Sequence, residues 1–325
     1  MKNNKLVEIT NLISQKQRFL ITSHVNPDGD NLGSVIALKL VLEQLGKETV
    51  VVIDDEIPSC FSFLHSIDEI IRYEDGLDID FDMCFTLDCS DLDRIAKVKN
   101  IIKSKAIINI DHHGDNPYFG EYNLVKNTAA TAEIIYQLID ALEEAKLNKD
   151  IATALATGLI TDTGSFRYSN TTSKTHKIMA ELLNYDVDTA EISKKVFDTH
   201  SYQSLVLRGK VLQNLQIDDS KKIAWVKVSQ DLLSEVGATM EDTEGIVNYP
   251  RSLAGVEIAI LFKETEEEII RVSLRSNSYF PVDKLAHKFG GGGHPRAAGC
   301  SIDANLNEAI EEVVNAAKKE LKQVR

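Results

Sequence analysis

The sequence predicts an α/β protein: a doubly wound, mostly parallel sheet, then a smaller α/β domain, the two joined by a helical linker. Three observations carry this. Short apolar or β-branched runs alternate with stretches of helical periodicity through the first half, the pattern of βαβ units. A charged helical stretch follows, and after it a separate set of strands and helices. The length, 325 residues, exceeds that of a typical single domain. The expected ranges are 1–187, a linker at 188–216, and 217–325.

Met1-Lys2-Asn3-Asn4-Lys5 leads into an amphipathic segment without the apolar core of a secretion signal. Phe19-Leu20-Ile21-Thr22 reads as the first strand. Leu32 to Leu45 has helical periodicity and stops at Gly46, a residue that ends helices without strain. Thr49 to Ile53 is a β-branched strand, and Met83 to Leu87 and Ala106 to Ile110 are two more. Ala129 to Leu142, Ile151 to Ile160 and Ser173 to Leu183 read as helices. From Thr189 to about Leu215 the apolar spacing is helical but weakens at Thr199-His200-Ser201, which suits a connecting helix or helix pair. In the second domain, Ile223 to Val228, Val256 to Phe262 and Ile269 to Leu274 read as strands. Asp231 to Val236, Gly245 to Leu253, Val282 to Phe289 and Leu306 to Leu321 read as helices.

Composition excludes several classes of function. The net charge of −14 leaves no overall basic character for gripping long duplex nucleic acid. No apolar run approaches the length needed to cross a bilayer, so a cytoplasmic protein without a membrane partner is expected. Cys60, Cys84, Cys89 and Cys300 lack a CxxC spacing, which argues against a zinc ribbon or a disulfide framework.

The polar residues that follow the apolar runs carry the chemistry. His24, Asp28 and Asp30 share one turn punctuated by Pro27 and Gly29. Asp30 also begins a helix, where a carboxylate serves as a cap. Asp88 ends a strand, Asp111-His112-His113 ends another, and Asp162 closes a helix. In a doubly wound sheet, ligands bind beyond the carboxyl ends of the strands. Acid-rich ligands with some imidazole suit Mn²⁺ or Mg²⁺ better than a structural zinc site. Six ligands suit two octahedral ions about 3.5–4 Å apart, an arrangement that clamps both oxygens of an in-line phosphoryl displacement.

The ordered set His24-x-x-x-Asp28-x-Asp30, Asp88, Asp111-His112-His113 and Asp162 resembles the DHH phosphoesterase superfamily. Gly290-Gly291-Gly292-Gly293-His294-Pro295-Arg296 resembles the motif of the DHH-associated C-terminal domain, and the two-domain length is most similar to the nanoRNase/pAp phosphatase group. The resemblance implies His24, Asp28 and Asp88 at one metal, and Asp30, Asp88, His112 and Asp162 at the other, with Asp88 bridging. It places His113 at the scissile phosphate and makes Asp111 the residue that orients the ligating histidine. It implies two Mn²⁺ ions, with Mg²⁺ or Co²⁺ as alternatives. The implied substrates are short RNA oligonucleotides, dinucleotides and adenosine 3′,5′-bisphosphate (pAp), and the linker suggests a homodimer.

In the second domain the glycine run is expected to be an irregular loop whose backbone approaches a ligand closely. Arg275 ends a strand, and a guanidinium there forks onto a phosphate. Arg275, Gly292, Gly293, His294 and Arg296 are the candidate substrate residues; Arg251 is a weaker one, and Arg94 is read as an intrahelical ion pair with Asp91. Phe166, Tyr168, Tyr249 and Phe280 are candidate stacking platforms. Alternatives are a cyclic- or linear-dinucleotide phosphodiesterase, a pyrophosphatase or exopolyphosphatase, and a nucleotide-binding regulator without turnover. Arg275-Ser276-Asn277 lacks the adjacent lysines of the pyrophosphatase signature, and the intact ligand set argues against a regulator.

Overall fold

The computed structural model describes residues 3–102, 105–265 and 269–323; Met1 and Lys2 of the opening segment lie outside them. The chain divides into two compact units, Met1–Thr199 and His200–Arg325. Among the described residues, no helix is long and apolar enough to cross a membrane.

The first unit runs α1 (Leu6–Gln15), β1 (Arg18–Ser23), α2 (Gly29–Gln44), β2 (Glu48–Ile53), β3 (Ile71–Arg72), β4 (Met83–Leu87), α3 (Lys99–Ile102), β5 (Ala106–Asp111), β6 (Tyr122–Val125), α4 (Thr131–Asp140), α5 (Lys149–Asp162), α6 (Ser173–Leu182) and α7 (Thr189–Ser193). Its strands form one sheet in the order β3-β2-β1-β4-β5-β6, and its strand pairings are parallel. β4 is buried along its whole length, as a central strand covered on both faces must be. The strand order reverses between β1 and β4, and that switch point is where such sheets open a crevice.

α2 is buried on nearly every side, from Gly29 to Lys39 without a break. It packs against α5 almost backbone to backbone. A Cβ at Gly33 would lie 2.3 Å from the Ala154 carbonyl oxygen, and one at Gly29 would lie 2.3 Å from Thr161 Cγ2. From the other side, a Cβ at Gly158 would lie 2.8 Å from Asp30 Oδ1. These glycines let the end of α5 reach the start of α2, and so bring Asp162 toward Asp30.

After α7, a π-helical turn spans Lys194–Asp198 and Thr199 is extended. The second unit runs α8 (Tyr202–Gln213), β7 (Gln216–Ile217), β8 (Ile223–Val228), α9 (Gln230–Val236), α10 (Asn248–Arg251), β9 (Ile258–Glu264), β10 (Ile269–Ser276), α11 (Val282–His287), β11 (Gly292–His294), β12 (Ala297–Asp303) and α12 (Leu306–Leu321). The sheet order is β11-β12-β10-β9-β8-β7, with β8–β9 the parallel pair. One face packs Ile260, Val272 and Leu274 against Leu285 of α11 and Val313 of α12. On the other face, Leu207 and Leu233 cover Val226 and Leu261 of β8 and β9. The expected helix from Gly245 to Leu253 shrinks to α10, because Pro250 can donate no backbone hydrogen bond.

The glycine run corrects the expectation of an irregular loop. Gly292–His294 is an edge strand paired antiparallel with β12. Neither strand is rich in β-branched residues, so neither reads as a strand from sequence. The hairpin depends on the glycines. A Cβ at Gly291 would lie 2.1 Å from the Gly299 carbonyl oxygen, and one at Gly293 (φ +136°) would lie 2.6 Å from that of Ala297.

Candidate metal centre

Five elements of the first unit deliver its polar side chains to the carboxyl edge of the sheet. His24 follows β1, Asp88 follows β4, and Asp111 ends β5 with His112 and His113 just beyond. Asp88 adopts φ +56°, a left-handed conformation that aspartate tolerates at modest cost. The cap at the start of α2 is Asp28, which accepts the Asp30 and Asn31 N–H groups at 3.0 Å, rather than Asp30 as expected. Asp30 turns across to α4 instead, accepting the N–H groups of Thr131 at 2.6 Å and Ala132 at 2.9 Å. Ala130, the N-cap residue of α4, has no side-chain acceptor, so a carboxylate from another helix does that work. Asp162 lies at the C-terminal end of α5, where the helix dipole disfavours a carboxylate. Helix stability gives no reason for an acid there.

The ring tautomers define what the cluster accepts. His24 Nδ1 lies 2.8 Å from the Val25 carbonyl oxygen, and His112 Nδ1 lies 3.2 Å from that of Thr128. Carbonyl oxygens only accept, so both rings carry a proton on Nδ1 and point Nε2 into the cluster. His24 Nε2 faces Asp88 Oδ2 at 3.3 Å. His112 Nε2 faces Asp88 Oδ1 and Asp162 Oδ2 at 3.5 Å each, and Asp30 Oδ2 at 3.9 Å. An imidazole nitrogen facing a carboxylate holds a cation between them, either a proton or a metal ion. An ion about 2.1 Å from two donors at a right angle leaves those donors about 3 Å apart, close to these spacings. Two of the donor groups within this unit are His24 with Asp28 and Asp88, and Asp30 with His112 and Asp162; a third joins Asp88 with Asp111 and His113.

The electrostatics agree. Burial pushes the Asp30 carboxyl well above its ordinary range, and the charges of Asp88 and Asp162 push it further. Burial also raises Asp162, to about 7, against the attraction of His112 and with repulsion from Asp28 and Asp88. Burial disfavours the imidazolium of His112, but Asp162, Asp88 and Asp30 outweigh it and carry the ring to about 10. Burial opposes ionisation of Asp88 too, yet the His24 hydrogen bond and the charges of His113 and His112 hold it well below the usual range. Asp30, Asp162 and His112 favour their protonated forms because the clustered carboxylate charges repel one another and attract the ring, and a divalent ion neutralises the same charges. Carboxylates with imidazole are the donor chemistry of such an ion.

Asp111 corrects an expectation. It orients His113, not His112: His113 Nδ1 lies 2.7 Å from Asp111 Oδ1. Asn116 Nδ2 donates to Asp111 Oδ2 at 2.6 Å and to the Cys89 carbonyl at 3.1 Å, tying the pair to the β4 loop. The His112 and His113 rings meet edge to face, with centroids 4.9 Å apart. Three supporting residues escape a reading of the sequence: Asn116, Thr128, and Thr131, whose hydroxyl donates to Asp88 Oδ1 at 2.9 Å. The signal available for them was weak, a small polar Thr128-Ala129-Ala130-Thr131 run before a helix.

In the second unit, Arg275, Ala297 and His294 share one row across β10, β12 and β11. Gly292 joins the next row with Gly299 and Ser273. Gly293 pairs with Ala298 on the opposite, buried face, so it serves the hairpin. Arg296 donates to the Phe280 carbonyl at 2.9 Å and to Ser276 Oγ at 3.3 Å, holding the hairpin to the end of β10. Of the candidate platforms, Phe280 is core, Phe166 packs on His176 with centroids 5.1 Å apart, and Tyr249 lies under Arg208.

The chain matches the DHH family, N-terminal domain, over residues 18–159 and the DHHA1 domain over residues 221–323. It is 36% identical over 304 residues to the bifunctional oligoribonuclease and PAP phosphatase NrnA of Thermus thermophilus, covering 93% of this chain and 89% of the relative. The protein of the same name from Bacillus subtilis is 31% identical over 301 residues, covering 91% and 92%. The solved structure of an exopolyphosphatase-related protein from Bacteroides fragilis superposes with a TM-score of 0.90 at 28% identity, over 98% of this chain and 97% of that one.

Proposed function

Because the chain belongs to the DHH phosphoesterase family, we propose that it hydrolyses short oligoribonucleotides to mononucleotides and removes the 3′-phosphate of pAp, using two divalent ions, Mn²⁺ foremost. The observation that carries this reading is the pair of donor groups that meet at Asp88, with His24 3.3 Å from one of its oxygens and His112 3.5 Å from the other. The names of the relatives support the substrate class.

In this reading residues 1–187 are the catalytic domain, 188–216 the linker and 217–325 the substrate-binding domain. His24, Asp28 and Asp88 hold one ion; Asp30, Asp88, His112 and Asp162 hold the other. Bound divalent ions neutralise phosphate charge and make a nucleophile of water at neutral pH. Thr131 fixes the Asp88 carboxylate with its hydroxyl, and the α4 N–H groups fix Asp30. Asp111 keeps the His113 proton on Nδ1 and, against burial, raises the ring's affinity for a second proton. His113 then donates from Nε2 to the phosphoryl or leaving oxygen, where charge develops. Arg275 and His294 receive the far phosphate or nucleotide of the substrate.

The test is a panel with Mn²⁺: pAp, pGpG, pApA, cyclic di-AMP, RNA of two to about ten nucleotides, and pyrophosphate. Hydrolysis of pAp and the shortest RNAs is expected. Rapid cleavage of pyrophosphate alone would overturn the reading. His113→Ala should keep both ions by elemental analysis and lose most turnover.

A further inference from the structure

Arg271, Ser273 and Arg275 alternate along β10 with Ile270, Val272 and Leu274, which are buried against α11 and α12. The three polar residues therefore share the opposite face. Helices α8 and α9 cover β8 and β9 on that face. Over β10 and β12 it stays partly open, with Arg271 and Ser301 exposed and Ser273, Arg275, Ala297 and Gly299 half-buried. The face thus runs from Arg275 to a second end, at Arg271.

At that end lies a cleft of about 620 Å³ between the sheet and α9, its polar lining supplied by Gln230, Ser234, Thr239, Thr265, Arg271 and Ser301. Arg271 pairs directly with Lys263 of β9. Like charges set opposite each other across an antiparallel pair are destabilising. Glu244 neutralises Lys263 at 3.5 Å, but among the described residues no carboxylate pairs with Arg271. An arginine in a cleft that sets hydroxyls and an amide beside Leu233, Met240 and Ile269, without an aromatic residue, suits a phosphate and its ribose rather than a stacked base.

We propose that this cleft is a distal subsite for the sugar-phosphate backbone of a longer single-stranded oligonucleotide. The inference rests on the substrate reading above and extends it along β10. Four residues separate Arg271 from Arg275, about 14 Å of strand. Even at the compact limit of about 3.4 Å per stacked nucleotide, that span is at most about four nucleotides. A ligand held at Arg275 therefore reaches the subsite by the time it is about five nucleotides long, while pAp and dinucleotides do not. Recognition there is indifferent to base identity.

Arg271→Ala is compared with the unmodified protein on pAp, a dinucleotide and five-nucleotide RNAs of two sequences. Hydrolysis is followed with Mn²⁺, and binding of the labelled five-nucleotide RNAs by fluorescence anisotropy in EDTA. The expected result is KM and Kd raised about tenfold for both five-nucleotide RNAs, with values for pAp and the dinucleotide within twofold. Arg271→Lys should recover part of the loss. Equal effects at every length, no effect on the five-nucleotide RNAs, or an effect on one sequence alone overturns the subsite. If the unmodified protein hydrolyses neither pAp nor dinucleotide, the substrate reading falls and the subsite with it. If it hydrolyses both and Arg271→Ala changes nothing, the subsite alone falls.

Discussion

Gly158→Ala isolates the contact that lets α5 carry Asp162 up to Asp30. Alanine in place of a mid-helix glycine gains about 1 kcal/mol of helix propensity. Here the new methyl would lie 2.7 Å from Ala132 Cβ and 2.8 Å from Asp30 Oδ1. Overpacking of that kind costs about 1–3 kcal/mol. The net loss of stability is therefore zero to about 2 kcal/mol, a fall of at most about 8 °C in the melting temperature of a unit of this size. The larger effect is on ion binding. Both Asp30 oxygens are held by α4, so the carboxylate yields to the methyl only by leaving those N–H groups. A tenfold loss of ion affinity removes about 1.4 kcal/mol of ligand-linked stabilisation. At saturating Mn²⁺ that shrinks the ion-dependent rise in melting temperature by about 3–6 °C. Calorimetric melts of both proteins, in EDTA and in Mn²⁺, measure it. A variant that melts above the parent in EDTA and keeps the full Mn²⁺ shift would refute the steric reasoning.

Two further changes probe the supports. Asp111→Asn keeps the shape of the buried pair but removes the charge that fixes the His113 tautomer. Turnover should fall roughly 10²–10⁴-fold with Mn²⁺ stoichiometry unchanged, and lost metal at unchanged turnover per ion would assign Asp111 to ligation. Glu257→Gln tests the second unit, where Glu257 accepts the Ser278 hydroxyl at 2.7 Å and the N–H groups of Ser278, Tyr279 and Phe280. Burial opposes its ionisation, but the Ser278 hydroxyl and those N–H groups outweigh burial and hold the carboxyl below its ordinary range. A depressed carboxyl contributes stability above its unfolded value, and loses it as pH falls through the folded one. The parent should therefore exceed the variant by about 1–3 kcal/mol near neutrality, with the gap closing below about pH 4.3 in urea melts. A gap that is constant down to pH 3 would remove the carboxylate from the argument.

What the sequence reveals is governed by how local its cause is. β1, β2, β4 and β5 are legible because central parallel strands are apolar on both faces. β3 and β6 are short edge strands, and β12 holds Ala297-Ala298-Gly299, so none carries that signal. The acids and histidines stand out because each follows an apolar run. Their partners do not. Asn116, Thr128 and Thr131 are neutral, and Thr131 reaches Asp88 across 43 residues. The choice between His112 and His113 as the partner of Asp111 depends on how the backbone turns after β5, which adjacency in sequence leaves undetermined. Likewise, Asp30 reads as a cap of its own helix, and only the tertiary contact with α4 shows that Asp28 caps α2 while Asp30 serves α4.

The polar contacts that hold the centre span 43, 64 and 101 residues. Each closes a large loop before it returns any stabilisation, as the pairing of Phe19 with Met83 does for β1 and β4, so the centre is expected to close no earlier than the sheet. Interactions absent from the folding transition state act on the unfolding rate. Substitutions at Thr131 or Asp30 should therefore leave refolding of the first unit nearly as fast as before and shorten the lifetime of the native state, and bound ions should lengthen it. The carboxylates would then act as a kinetic latch, one that closes after the sheet has formed and sets how long the unit survives.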